Sequence, residues 1–104
     1  MSEKLIGMTL RLVVHGSERD LMQAESQMKE DCPSLSFSPW IEREELDGCL
    51  EARGSARISQ ETKERILAGW NDDWDISEDE DCYSAYGFNT KMFDSHVYYL
   101  QLQF

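Results

Sequence analysis

No stretch of this sequence is apolar for long enough to cross a bilayer, which takes about 20 consecutive residues as a helix. Nothing after Met1 has the apolar length of a secretory leader, because MSEKLIGMTLRL is too polar and too short. Cysteines are few, and their number is odd. Cys32, Cys49 and Cys82 lie too far apart in sequence for the close pairs of a structural zinc site. A reduced, cytoplasmic setting with free thiols is the simplest expectation. The six glycines are scattered, and none opens a helix after a strand in the way a phosphate loop requires. Basic side chains are scarcest of all in proportion: ten Lys and Arg face 21 Asp and Glu, a formal net charge of −11. Such a surface repels the phosphates of nucleic acid and of anionic membranes, and attracts cations or basic proteins.

Catalytic signatures are also missing. His15 and His96 are the only histidines, and no GxSxG occurs. Ser95 adjoins His96, but neighbours on a strand point to opposite faces. Cys82 with His96 is the one conceivable nucleophile–base pair; a buried free thiol and an edge histidine are the simpler expectation. Carboxylates abound, yet a hydrolytic carboxylate pair needs a cleft, which a small sheet-and-helix domain does not obviously provide. The expectation is a protein that is not an enzyme and needs neither cofactor nor metal.

What is present is regular amphipathic structure: 40% of the 104 residues are hydrophobic, too many for a disordered acidic tail. Residues 7–15, GMTLRLVVH, alternate, with Met8, Leu10, Leu12 and Val14 on one face, the period of a strand. Ser17 then offers an N-cap, and Leu21, Ala24 and Met28 recur at helical spacing. That helix should end near Asp31, because Pro33 disfavours helical geometry at Cys32. Leu35, Phe37 and Ile41 suggest an edge strand kinked at Pro39. Asp47–Gly48 reads as a type I′ hairpin turn, and residues 49–58 return as a strand expected to be irregular around Gly54. Ser59 caps a second helix with Ile66, Leu67 and Trp70 as its buried stripe and Asn71 as its C-cap. Residues 82–88 and 96–104 read as two further strands. The expectation is one α+β domain over 1–104, an antiparallel sheet of four to five strands with two helices on one face. The order matches a ferredoxin-like βαββαβ arrangement with an extra C-terminal strand.

Residues 71–83, NDDWDISEDEDCY, hold Asp72, Asp73, Asp75, Glu78, Asp79, Glu80 and Asp81 with no Lys or Arg among them. A calcium loop needs glycine at its sixth position and glutamate at its twelfth. Counting from Asp73 gives Glu78 and Ser84; counting from Asp75 gives Glu80 and Tyr86. Both registers fail. The run is then a solvated loop after the second helix or a docking surface. Trp70 and Trp74 flank the first acids, and aromatics beside charges are the composition of interface hot spots. The candidate partner-binding set is therefore Trp70, Asp72, Asp73, Trp74, Asp75, Glu78, Asp79, Glu80 and Asp81, with Trp74 as anchor. A second acidic cluster, Glu42, Glu44, Glu45, Asp47 and Glu51, is diluted by Arg43, Arg53 and Arg57 and reads as cross-strand ion pairs on a solvated hairpin. Tyr83, Tyr86, Phe88, Tyr98 and Tyr99 could stack on bases, but only Lys91 follows Arg65 to hold phosphates.

In size, acidity, expected compartment and lack of enzyme motifs the chain resembles the immunity proteins of bacterial toxin systems, including contact-dependent growth inhibition. The resemblance implies an inhibitor that binds and neutralises a basic toxin, in many cases a nuclease, with no membrane and no direct nucleic-acid contact. Asp72 to Asp81 would then take the place of the phosphates that the toxin grips. The alternative is a nucleic-acid mimic that inhibits a host restriction or RNA-guided defence enzyme. A mimic should spread its carboxylates at phosphate-like intervals rather than gather them in one decapeptide.

Overall fold

The computed structural model describes residues 4–43, 48–87, 92 and 94–104. The chain is α+β; the described residues form nine elements in the order β1 (Ile6–Val14), α1 (Glu18–Asp31), β2 (Ser36–Phe37), β3 (Ile41–Arg43), β4 (Cys49–Ile58), α2 (Gln60–Gly69), β5 (Asp75–Ser77), β6 (Cys82–Tyr86) and β7 (Val97–Gln103). The seven strands form one sheet in the order β2-β4-β1-β7-β6-β5, with β3 also on β4; every pairing is antiparallel.

Both helices start where the side chains dictate. Ser17 Oγ accepts the amide hydrogen of Asp20 while the Asp20 carboxylate accepts that of Ser17, a reciprocal capping box. Ser59 Oγ accepts from Thr62 N at 3.1 Å. The first helix ends at Asp31 with Cys32 as its cap and Pro33 beyond, as the proline requires. The second ends one residue earlier than the sequence suggested: Trp70, not Asn71, is the C-cap, its amide bonded to Ile66 O at 2.9 Å.

The helices cover one face of the sheet. Leu21, Ala24 and Met28 of α1 and Ile66 and Trp70 beside it from α2 form one cluster with Met8, Leu10, Leu12 and Val14 of β1 and Leu100 and Leu102 of β7. Burying side chains of this size contributes about 1.5–3 kcal/mol each. Trp70 Nε1 donates to Asp31 Oδ2 at 2.8 Å, so the polar tip of the largest buried ring ties the end of one helix to the end of the other.

Three expectations need correction, the first being the strand count: among the described residues the sheet has seven strands, not four to five. The topology is not a ferredoxin-like sheet with a strand added at its C-terminal end. In that arrangement the strand after the second helix lies beside β1. Here β7 takes that place, and β5 and β6 extend the sheet outward from it. The last strand is thus interior, bonded to β1 on one side and β6 on the other. The strand β4 is not irregular at Gly54: its register with β1 is unbroken from Ile58 to Leu50. The glycine is there for close approach, since an added Cβ would sit 3.1 Å from the Phe37 ring. The kink at Pro39 is real. From the pair Phe37–Gly54 to the pair Ile41–Glu51, β2 and β3 advance four residues while β4 advances three, the count of a bulge. The expected turn at Asp47–Gly48 falls partly outside the described residues, as do Glu44 and Glu45; Gly48 itself adopts φ 76°, where a glycine is favoured.

Candidate functional site

The acidic run is not a loop throughout. Asp75–Ser77 pair with Cys82–Ser84 as the outermost strand, and Glu78 to Asp81 are the four residues that turn the hairpin. All four side chains of that turn are carboxylates. Glu80 N bonds Ser77 O at 3.3 Å and Asp81 N bonds Glu78 O at 3.4 Å. Asp81 takes φ 51°, a left-handed conformation that Asp tolerates better than most residues. Asp81 is also the one tethered acid of the turn: Lys63 of α2 reaches it at 3.4 Å. The same Lys63 lies 4.5 Å from the Phe104 ring, and Phe104 and Trp74 each meet Tyr83 edge-on, which fixes the hairpin against α2. Asp72, Asp73, Asp75, Glu78, Asp79 and Glu80 are all exposed.

Neither tryptophan assigned to this surface stands fully exposed on it. Trp70 is 1% exposed and belongs to the core. Trp74 is half-buried, packed on the core with Nε1 donating to Leu67 O at 2.7 Å. The apolar side chain that does stand among the carboxylates is Ile76, 52% exposed in the middle of β5. An alternating strand signal was available there, with Trp74 and Ile76 on one face, but the dense acids around it masked it.

The face turned away from the helices carries the opposite charge. Cross-strand partners share a face, and the register places Arg11, Arg53, Arg57 and Arg43 there, four of the six arginines in the chain. Glu51 stands among them. It is 1% exposed, not on a solvated hairpin: Arg11 Nε donates to Oε1, and Arg43 Nη2 donates to Oε2 at 2.7 Å. Burial pushes its carboxyl upward, but the two guanidiniums outweigh burial and hold it below its ordinary 4.5. Arg11 also lies 5.8 Å from the centre of the Tyr99 ring, which meets Tyr86 tilted at 54° with ring centres 5.1 Å apart. No local pattern shows this cluster, because its members come from three strands.

The Cys82–His96 pair is not assembled. Cys82 sits opposite Gln103 and accepts from Gln101 Nε2 at 3.1 Å. His96 precedes the far end of β7, seven residues away, which is about 23 Å of extended chain. There it lies between two carboxylates, Nδ1 3.2 Å from Asp94 and Nε2 3.5 Å from Asp20. Asp20 is held below its usual range, first by the Ser17 amide, then by the Ser17 hydroxyl. The three cysteines are buried, and no disulfide joins them. Among the described residues no cluster of three or more His, Cys, Asp or Glu is arranged to hold a metal, and no helix is long and apolar enough to cross a membrane. No family model, curated protein or solved structure matches the chain.

Proposed function

We propose that the protein is an inhibitor of the immunity type, which docks onto a basic partner through the β5–β6 hairpin and neutralises it. The observation that carries this reading is the turn made wholly of carboxylates beside an exposed isoleucine on an edge strand. Charge there repels most strands that would add to the edge, and the same charge selects a partner bearing Lys or Arg. A nuclease toxin has such a surface because it must hold phosphates. Ile76 supplies an apolar contact that buried Trp70 cannot and half-buried Trp74 offers only in part, and the exposed acids supply steering, with association rates up to about 10⁸–10⁹ M⁻¹s⁻¹ at low salt. The hairpin is pinned by Lys63 and the Tyr83 contacts, so little order has to be gained on binding.

The partner is to be named by pull-down from the native host and mass spectrometry, and its binding measured by surface plasmon resonance at two ionic strengths. Glu78→Gln, Asp79→Asn and Glu80→Gln together leave the Asp81–Lys63 pair intact. That triple variant should associate at least tenfold more slowly at low salt and show a flatter salt dependence. Ile76→Ala should instead speed dissociation. An unchanged on-rate and salt slope in the triple variant would rule out the hairpin as the docking surface.

A further inference from the structure

The face opposite the helices holds a recess of about 420 Å³ lined by Thr9, Leu10, Arg11, Arg53, Gly54, Gln101 and Gln103. We propose that this recess binds a small phosphate monoester, independently of the acidic hairpin. Arg11 and Arg53 stand directly opposite each other across β1 and β4. Like charges in that position destabilise a sheet. Arg11 is offset by Glu51. Arg53 is exposed, and its side chain has no ion pair or hydrogen bond among the described residues. A chain with 21 carboxylates could have put one beside it; none lines the recess. What lines it is two arginines, two glutamines and a threonine: Arg11 keeps its terminal amino groups beyond the Nε held by Glu51, and the carboxamides of Gln101 and Gln103, whose Nε2 atoms already donate to Cys82 Sγ at 3.1 Å and Glu80 O at 3.4 Å, keep one N–H each. With Arg53 and the Thr9 hydroxyl these donors suit the several acceptor oxygens of a phosphoryl group.

Glu51 holds Arg11 through Nε and thereby fixes the guanidinium before any ligand arrives. Such preorganisation lowers the entropy lost on binding. The volume falls within the roughly 300–1,000 Å³ of small-molecule sites and exceeds what a bare phosphate fills, so the phosphoryl group arrives attached to a small body. Tyr99 lies beside Arg11 and meets Tyr86 at a tilt of 54°, and can pack against a body that reaches past the lining of the recess. A polyanion is the wrong occupant: a single phosphate meets only the arginines, whereas a strand of them must extend over a surface of net charge −11.

The test is a nitrogen-15 NMR titration of the whole protein that follows Arg Nε and Gln side-chain signals. The probes are inorganic phosphate, glycerol phosphate, adenosine monophosphate, malonate and a single-stranded oligonucleotide. The two monoesters should shift Arg11, Arg53, Gln101 and Gln103 in a saturable way. Arg53→Gln should weaken them about tenfold, the loss of one charge-assisted contact. Arg65→Gln on α2 should leave affinity unchanged, and both variants should keep the dispersion of the parent spectrum. The assignment is overturned by shifts that do not saturate or that map elsewhere, or by an Arg53→Gln variant with parent affinity. It is equally overturned if malonate matches the monoesters, or if inorganic phosphate or the oligonucleotide binds more tightly than they do.

Discussion

Replacing Glu51 with Gln should be among the most costly isosteric changes in this protein. The parent carboxylate accepts from Arg11 on one oxygen and from Arg43 Nη2 and Nε, at 2.7 and 3.1 Å, on the other. Each charge-assisted bond contributes about 1.5–3 kcal/mol. An amide keeps one acceptor oxygen and turns an NH₂ group toward the other guanidinium, so one side of the triad loses its bonds. Breaking a fully buried pair costs about 3–5 kcal/mol, but here the arginine side chains are 36% and 27% exposed and regain some hydration. The expected loss is about 2–3 kcal/mol at pH 7, which for a domain of this size lowers Tm by roughly 8–24 °C. The pH dependence distinguishes an ionic cause from a packing defect. A carboxyl held below 4.5 in the folded state contributes stability that is whole above about that pH. The contribution disappears as pH falls through the lowered folded value. Urea unfolding of parent and variant should therefore differ by the full amount at neutral pH and converge in acid. A difference under about 0.5 kcal/mol at neutral pH, or one that persists undiminished in acid, would refute the account.

Deleting residues 97–104 should abolish folding, because it removes β7 from between β1 and β6 and with it the wholly buried Leu100 and Leu102; a truncated chain with native circular dichroism would show that the sheet does not need it. Gly87→Ala should destabilise by about 1–3 kcal/mol, since its Cβ would fall 2.2 Å from Val97 O, a backbone atom that cannot swing aside; an unchanged urea midpoint would mean the strands shift freely there. Trp70→Phe should cost about 2–4 kcal/mol in urea unfolding through lost volume and an unpartnered Asp31, and a loss below about 1 kcal/mol would show that the tie between the helix ends contributes little.

The helices were legible in the sequence because both carry local signals: a hydroxyl cap, an apolar stripe at helical spacing and, for α1, a proline past the end. β1 was legible for the same reason, with alternation from Met8 to Leu12 along its buried face. The topology was not. Which strand pairs with β1 depends on β7 and β5 competing for one position, and the winner is the strand with Leu100 and Leu102 to bury, not the first one after α2. β5 was not legible because Asp75, Ser77 and the whole turn after them lack strand-forming side chains, and only pairing with β6 makes Asp75–Ser77 extended. Trp70 carried two conflicting signals, a place in the α2 stripe and a place beside acids. The stripe decided, since burying an indole outweighs displaying it. The arginine cluster was invisible for a different reason: Arg11 and Arg53 are 42 positions apart, and a register shift of one residue would send them to opposite faces.

The two charged regions can coexist because of where the strand order puts them. From β4, which carries Arg53, to β5 there are four strand steps through β1, β7 and β6, about 19 Å at the usual spacing. The Debye length at physiological salt is about 8 Å, so Arg53 stands more than two screening lengths from β5, and Arg11, on β1, stands about 14 Å from it across three strand steps. Each site then presents its own sign to an approaching partner, despite a net charge of −11 that would on average repel every anion. Glu51 adds to this separation. By lying buried beneath Arg11 and Arg43 it neutralises part of the cluster from within, so the sheet holds the arginines close together without a carboxylate on the surface to compete for what they bind. The acids that could have neutralised Arg53 stand instead at the far edge of the sheet, where only a basic surface from outside the molecule can satisfy them.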